Sequence, residues 1–459
     1  MRVVNAMPLQ WARKLPATLW RVLLSLALAA LVWQLVPGAS ALRNGLALFV
    51  LIAGLWMTQA LHLSVTALLV PLLAVLAGLL DVRAALASFA HPVIFVFLGG
   101  FALAAALQQQ GLDRRLAQAL LGLAAGRRGW AVALLMAMTA ALSMWISNTA
   151  TAAMMLPLSL GLLDDEDGPR ERAFVLLGVA YSASIGGIGT LVGSPPNAIA
   201  AAQAGIGFAE WMRVGIPMVL VLLPLMGLVL WAVLRPSLAG RRKPLAEAPA
   251  AQPWTAAQRK TLLIFALTAA GWVAAAPLGR VLGVAAEMDS VVALAAIVAL
   301  VATGVIDWPG VEQRTQWGVL LLFGGGLTLS AVMASSGASQ YLAGGLTALL
   351  EGASPLLLLL AVVAFVVFLT ELVSNTASAA LLVPIFVGVA TALGLPPALF
   401  AAAIAVSASC AFMLPVATPP NAIVYGTGLL PQATMMRCGL VLNLVCIVAI
   451  VALAQVLYR

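Results

Sequence analysis

Two runs of small polar residues interrupt otherwise apolar stretches of this sequence, and they are near copies. The first is Ser147-Asn148-Thr149-Ala150-Thr151-Ala152-Ala153 and the second Ser374-Asn375-Thr376-Ala377-Ser378-Ala379-Ala380, with Pro157 and Pro384 each ten residues after the serine. Each run is followed by a paired break, Gly193-Ser194-Pro195-Pro196-Asn197 in one case and Ala417-Thr418-Pro419-Pro420-Asn421 in the other. Each is preceded by a glycine motif, Phe97-Leu98-Gly99-Gly100 and Phe323-Gly324-Gly325-Gly326. Ser, Asn and Thr are N-cap residues, suited to starting a helix. A helix start presents free N–H groups and a positive dipole end, which can hold a carboxylate or sulfate oxygen. Proline pairs interrupt helices and free carbonyls, which together with Asn and Ser oxygens can surround a small hard cation. One Ser-Asn-Thr run is most often a turn or a cap. Two in matched order, each with its Pro-Pro-Asn break, describe one site built twice.

No Lys or Arg lies in either run or either Pro-Pro segment. An anion bound there needs neutral donors, dipole ends and co-bound cations, which favours sodium coupling over an arginine clamp. Buried carboxylates are scarce. Glu371, four residues before Asn375, is the exception. An acid inside a membrane is a functional candidate by default, but it could equally pair within its own hairpin. The two histidines, His62 and His91, lie far from the motifs, and Cys410, Cys438 and Cys446 have no metal-ligand spacing. Nothing here supplies a nucleophile–base pair, a zinc site or a haem site, so the chain reads as a non-enzyme with no cofactor beyond sodium as coupling ion.

The elements that must carry these runs are membrane helices. The chain has 459 residues, 63% hydrophobic and 8% charged, whereas soluble domains are nearer half apolar and a quarter charged. Apolar runs long enough to cross a hydrocarbon core of about 30 Å recur throughout. Hydropathy and breakers place them near 19–37, 44–62, 64–81, 91–111, 173–210, 211–234, 260–279, 288–306, 317–336, 395–430 and 438–457. Two further stretches, 129–163 and 354–391, contain the Ser-Asn-Thr runs and read as re-entrant hairpins. A signal peptide ending near Gly38-Ala39-Ser40-Ala41 is the alternative for the N-terminus. A retained first helix is preferred, because the run is long and the next span comes at once.

The net charge of +8 is not a nucleic-acid footprint, since the basic residues cluster between spans without aromatic companions. With a cytoplasmic N-terminus and two hairpins, 18 of the 23 Lys and Arg fall on the inside, as the positive-inside rule requires. Making either hairpin a full crossing would invert every later segment of the chain and degrade that asymmetry. The C-terminus is then periplasmic, and the first hairpin opens from the cytoplasm while the second opens from outside. The repeats are thus inverted, an arrangement that places substrate near the midplane. The acidic run Asp164-Asp165-Glu166-Asp167 reads as a solvated loop.

The resulting fold class is an all-α polytopic membrane protein with eleven transmembrane helices, two re-entrant hairpins and inverted repeats. The expected organisation is 1–128, helices of repeat 1; 129–210, its hairpin and broken helix; 211–234, a connecting helix; and 235–260, a linker. Repeat 2 comprises 261–353, helices; 354–430, hairpin and broken helix; and 431–459, the last span.

Four stretches carry a family resemblance: Ser143-Met144-Trp145-Ile146-Ser147-Asn148-Thr149, Gly189-Thr190-Leu191-Val192-Gly193-Ser194-Pro195-Pro196-Asn197, Thr370-Glu371-Leu372-Val373-Ser374-Asn375-Thr376 and Met413-Leu414-Pro415-Val416-Ala417-Thr418-Pro419-Pro420-Asn421. They resemble the divalent anion/sodium symporter family, which includes di- and tricarboxylate and sulfate transporters. The resemblance implies an elevator, with a transport domain of hairpins and broken helices moving against a scaffold that forms a homodimer. It implies one sodium site at Ser143, Ser147, Asn148 and Gly193 and another at Thr370, Ser374, Asn375 and Ala417. Substrate contacts carry over to Ser147, Asn148, Thr149, Ser374, Asn375, Thr376, Thr418 and Pro419. Two positions depart from the family pattern. Ser194 replaces a common threonine and keeps the hydroxyl, and Gln59 stands where glutamate is frequent.

The function expected is sodium-coupled symport of a C4-dicarboxylate such as succinate, malate or fumarate, in a bacterial inner membrane. Sulfate or citrate is the nearest rival, then a sodium-independent exchanger of the same family.

Overall fold

The computed structural model describes residues 15–122, 127–164, 166–237, 253–284, 286–349 and 354–457. Most of the expected linker, at 238–252, and the basic residues Arg2, Arg13, Lys14, Arg241, Arg242 and Lys243 lie outside the described residues, as does Arg459. The described chain is helical, with no β-strand. Its outward side chains are those of a membrane protein: Trp20, Leu35, Leu76, Leu220, Leu267 and Val448 are all exposed, and only lipid covers such a surface at low cost. By length and composition seven of the described helices can cross a membrane alone, or eight if one bent pair counts as a span.

Helix α1 (Leu15–Leu35) precedes the repeat. The first repeat comprises α2 (Ser40–Thr58), α3 (Leu63–Leu76), α4 (Val82–Ala87), α5 (Pro92–Gln109) and α6 (Leu112–Gly122). It continues through the hairpin arms α7 (Arg128–Ser143) and α8 (Asn148–Leu160), the broken helix α9 (Pro169–Gly186) and α10 (Pro195–Ala204), and α11 (Phe208–Leu234). The second repeat opens with α12 (Ala256–Val273), then an extra short helix, α13 (Ala275–Leu282), and α14 (Met288–Ala302), α15 (Trp308–Arg314), α16 (Trp317–Ser335) and α17 (Ala338–Leu349). Its hairpin arms are α18 (Pro355–Thr370) and α19 (Asn375–Ala392), its broken helix α20 (Pro397–Ala408) and α21 (Pro419–Tyr425), and its last helix α22 (Gln432–Leu457).

The short helices α4, α6, α15 and α17 are additions to the sequence reading. They match between repeats in detail. Asp81 caps α4 by accepting from the Ala84 N–H at 2.7 Å, and Asp307 caps α15 by accepting from Gly310 at 3.0 Å. The expected span at 260–279 is bent by 83° between α12 and α13. Pro277 supplies the cause, because it has no N–H to bond the Val273 carbonyl four residues back and its ring crowds that carbonyl, so the ladder breaks at Ala274.

The repeats run in opposite directions. The first turn of α3 meets the first turn of α16, where Ser64 donates to the Gly318 carbonyl. The end of α5 meets the loop and helix that precede α16: Gln110 donates to Val305 O at 2.9 Å and Arg314 to Gln109 at 3.4 Å. Helix α5 therefore ends where its counterpart α16 begins. The same face carries Arg21 on Thr58 O, Arg115 on Gln258 and Lys260 on Thr303 O.

Cross-packing joins the repeats. Helix α21 packs on α8 and α9, while α10 packs on α19 and α20. Helices α11 and α22 pack on each other and on α9 and α20, so they join the hairpins in one block. The tip residue Trp145 leaves this block to meet α12, with its ring 4.9 Å from Phe265 and 6.3 Å from Trp272.

The first hairpin returns to its own entrance. Arg128, at the start of α7, pairs with Asp167, just before α9, and the Nη1–Oδ1 distance is 2.7 Å. Asp167 thus belongs to a buried ion pair rather than to a freely solvated run. Burial raises its carboxyl, but the Arg128 guanidinium, the Asp164 N–H and Arg172 outweigh this and hold it below the usual carboxylate range. A lowered folded pKa means that the pair's stabilisation is complete above the unfolded value near 4 and is lost as pH falls through the folded one. Arg128→Ala, which strands a buried carboxylate, is expected to cost about 3 kcal/mol, read as a lower melting temperature in detergent. Asp167→Asn should flatten the wild-type loss of stability between about pH 5 and pH 2.

Candidate functional site

Each hairpin tip is a helix start held by its own first arm. Ser147 caps α8, its Oγ accepting from the Ala150 N–H at 3.4 Å, and Asn148 is the first helical residue. Ser143, at the end of α7 and fully buried, reaches the Asn148 amide at 2.7 Å and donates to the Ala183 carbonyl of α9 at 2.7 Å. The second tip repeats this with different atoms. Thr370 reaches Asn375 Oδ1 at 2.7 Å and the Ala408 carbonyl of α20 at 3.0 Å.

The first group has the chemistry of a small-cation site. The Asn148 amide atom facing the cluster lies 2.7 Å from Ser143 Oγ, 3.1 Å from Ala183 O and 3.3 Å from Gly193 O. Turned nitrogen-inward, the amide donates to these oxygens. Turned oxygen-inward, it completes a set of four oxygens of the kind that hard cations take as ligands. The structure brings Ser143, Asn148 and Gly193 together. A side chain at Gly187 has no room, since its Cβ would lie 2.4 Å from Asn148 Oδ1.

In the second group, Thr370 and Asn375 meet, while Ala417 closes a turn through its N–H to Leu414 O at 3.2 Å. Ser374 occupies the N-cap position of α19 without capping it, which leaves first-turn N–H groups open to a ligand. The side chains of Thr149 and Thr376 make no hydrogen bond among the described residues, and Thr149 is exposed. Thr418 caps α21, accepting from the Asn421 N–H at 3.3 Å, and Pro419 beside it is exposed. Ser194 does not cap α10; its hydroxyl lies 3.4 Å from Ser409 Oγ, across the repeats.

The helix breaks hold residues to which the sequence reading assigns no role. Asn197 donates to Gly187 O at 2.8 Å and Thr190 O at 2.7 Å, and Asn421 to Ala411 O at 3.1 Å and Leu414 O at 3.0 Å. Those four carbonyls are thus already engaged, which narrows the supply for a cation. The available signal is an Asn directly after each Pro-Pro pair. Glu371 is paired, but not within its own hairpin as one of its two readings had it: its partners lie in the second break and in α22. It is 4% exposed and accepts from the N–H groups of Phe412 (2.6 Å), Met413 (2.8 Å) and Leu414 (3.1 Å) and from Asn443 Nδ2 (2.8 Å). Tyr181 of the first repeat donates to the Phe412 carbonyl at 2.6 Å.

Residues outside the tips have plainer roles. His62 and His91 cap α3 and α5 through Nδ1. Gln59 ends α2 in the left-handed region at φ 48°. The three cysteines are buried and free. A cavity of about 800 Å³ lies away from the tips, between α5, α10, α11, α13 and α14, where His91, Glu210, Arg280 and Asp289 line it.

Comparison with known proteins agrees with the architecture. The family model of the citrate transporter family matches residues 53–405 and 290–459. An uncharacterized transporter of Haemophilus influenzae is 47% identical over 446 residues, covering 95% of this chain and 96% of its own. The sodium-dependent dicarboxylate transporter SdcS of Staphylococcus saprophyticus is 34% identical over 446 residues, covering 88% and 84%. Among solved structures, the Alcanivorax borkumensis YdaH transporter, described as having an unusual topology, superposes with a TM-score of 0.58. It is 19% identical and covers 96% of this chain and 97% of its own. With the match extending over most of its length, the chain belongs to the citrate transporter family, within the divalent anion/sodium symporter group, and is a multi-pass membrane transporter rather than an enzyme.

Proposed function

We propose that this protein is a sodium-coupled symporter of a C4-dicarboxylate such as succinate, malate or fumarate. The observation that carries the reading is the oxygen set at the first tip. Ser143 Oγ, Ala183 O, Gly193 O and the Asn148 amide converge without any basic side chain in the tip. A dianion at two neutral helix starts gains dipole and N–H stabilisation but no compensating charge, and sodium supplies it. In this reading Ser143, Ser147, Asn148 and Gly193 hold one ion, and Thr370, Ser374, Asn375 and Ala417 the other. Ser147, Asn148, Thr149, Ser374, Asn375, Thr376, Thr418 and Pro419 face the substrate.

The relative named a sodium-dependent dicarboxylate transporter supports the coupling and the substrate class. The family's description as citrate transporters gives citrate a specific claim as the second substrate. The shared face of Arg21, Arg115, Lys260 and Arg314 supports a cytoplasmic N-terminus and periplasmic C-terminus in a bacterial inner membrane. The hairpin block moves as an elevator against the remaining helices, which form a homodimer. The cavity between block and scaffold supports that motion.

Labelled succinate uptake into proteoliposomes is expected only with an inward sodium gradient. Equal uptake without sodium would overturn the coupling, and excess cold citrate that outcompetes succinate would transfer the substrate. Asn148→Ala and Asn375→Ala should each lower uptake by tenfold or more, on the order of the loss of one buried polar ligand, while the melting temperature changes little. Gly187→Ala should abolish sodium-dependent uptake, because the added methyl occupies the place of the Asn148 amide.

A further inference from the structure

The two helix breaks are paired by the repeat but are held open in different ways. In the first break the backbone satisfies itself. Gly187, Ile188 and Gly189 donate to Ala183, Ile185 and Gly186 in successive turns. Thr190 adds its hydroxyl to the Met144 carbonyl, and Asn197 takes the carbonyls. In the second break those turns stop at Cys410, whose N–H reaches Ser407 O. The next stretch has no regular turn of its own, and the N–H groups of Phe412, Met413 and Leu414 go to the Glu371 carboxylate.

The residue matching Glu371 in the first tip is Met144, since Ser143 matches Thr370. Met144 lies against Gly189 instead. A carboxylate is thus present in one tip and absent from its twin. It accepts only from neutral donors, three of them backbone and one Asn443. The described structure gives it no Lys or Arg partner, because the ion pair found is Arg128 with Asp167. Hydrogen bonds to an ionised acceptor are about twice as strong as neutral ones. Their number here fixes the backbone that leads from Phe412 to Ala417, and Tyr181 pins the same peptide from the other side.

We infer that Glu371 is a positioning residue that makes the second cation group, Thr370 with Asn375 and Ala417, bind sodium more tightly than the first group. The inference rests on the sodium-symport reading. Glu371 acts through the backbone of residues 412–417 and through its fixed charge, and touches neither the ion nor the substrate. The two sodium ions therefore bind unequally, and the second group fills at the lower concentration.

The test uses purified full-length protein in detergent and in proteoliposomes, with sodium as the probe and potassium as control. Two quantities are read: the sodium concentration giving half of the sodium-induced rise in melting temperature, and that giving half-maximal succinate uptake. In Glu371→Gln both are expected to rise on the order of tenfold, with the succinate KM at saturating sodium unchanged. Glu371→Asp, which keeps the charge, should recover part of the shift. Asn443→Leu, which leaves the carboxylate but removes one of its four donors, should shift both values the same way by less. That variant carries the test if Glu371→Gln does not fold. A folded, transporting Glu371→Gln or Asn443→Leu with wild-type sodium values overturns the inference and leaves the symport reading standing. Wild-type protein whose melting and uptake ignore sodium overturns both.

Discussion

A helix that stops inside hydrocarbon leaves backbone N–H and C=O groups where no water can take them, and each orphan costs a few kcal/mol. This chain stops helices in that setting at two hairpin tips and two breaks. Much of its interior polar chemistry answers that constraint. Asn197 and Asn421 take carbonyls at the breaks, Ser147 and Thr418 take N–H groups at helix starts, and Glu371 takes three N–H groups at once. What these side chains leave unengaged is what a ligand can use. In the proposed reading, the carbonyls of Gly193 and Ala417 and the first-turn N–H groups of α8 and α19 are that remainder.

Inversion of the repeats sets each hairpin against the broken helix of the other half. Helices α10 and α21 each pack on the hairpin arm and broken helix of the opposite repeat. The tips are thus supported by both halves of the chain, although each cation group draws its atoms from one half. The ties between halves are specific: Tyr181 on the Phe412 carbonyl and Ser194 beside Ser409. Duplication made the frame symmetric, and substitutions such as Met144 against Glu371 made its two ends chemically distinct. The lack of a basic side chain is consistent with a coupled carrier. A fixed arginine would hold an anion whether or not sodium was present, whereas a neutral site binds well only when cations accompany the anion.

The sequence is legible where chemistry is local. Ser-Asn-Thr runs, Pro-Pro breaks and matched spacing announce helix starts and stops because capping acts within three or four residues. The hairpins and the matched repeat come from that, their inversion from the count of basic residues, and the grouping of Ser143 with Asn148 and Thr370 with Asn375 from the family resemblance. Less legible are features decided by distant partners. Sequence alone leaves Glu371 between its two readings because its donors lie 41 or more positions away in the chain. The short helices α4 and α15 fall in the gaps between the expected spans and show themselves only through caps at Asp81 and Asp307. The α12–α13 bend turns on Pro277, which hydropathy does not weigh. Asp167 reads as a solvated loop residue because Arg128, its partner, lies on the far side of a hairpin.

The contrast between the inside of the hairpin block and its border bears on movement. Inside, directional hydrogen bonds to backbone fix the breaks, and such bonds fail with displacements of a few tenths of an ångström. At the border, the tip residue Trp145 meets Phe265 and Trp272, while Phe208 stacks on Trp272 at 4.5 Å. Aromatic packing is non-directional by comparison and tolerates several offset arrangements. Few polar ties cross there; Phe208 N–H to Asp289 at 2.8 Å and Ser330 to Gln203 at 2.8 Å are two that do. A body that keeps its directional bonds internal and meets its surroundings through apolar rings can shift as a unit without breaking its site. That division of bond types is what the proposed elevator requires, and it sits where the polar tip residues end and the aromatic ones begin.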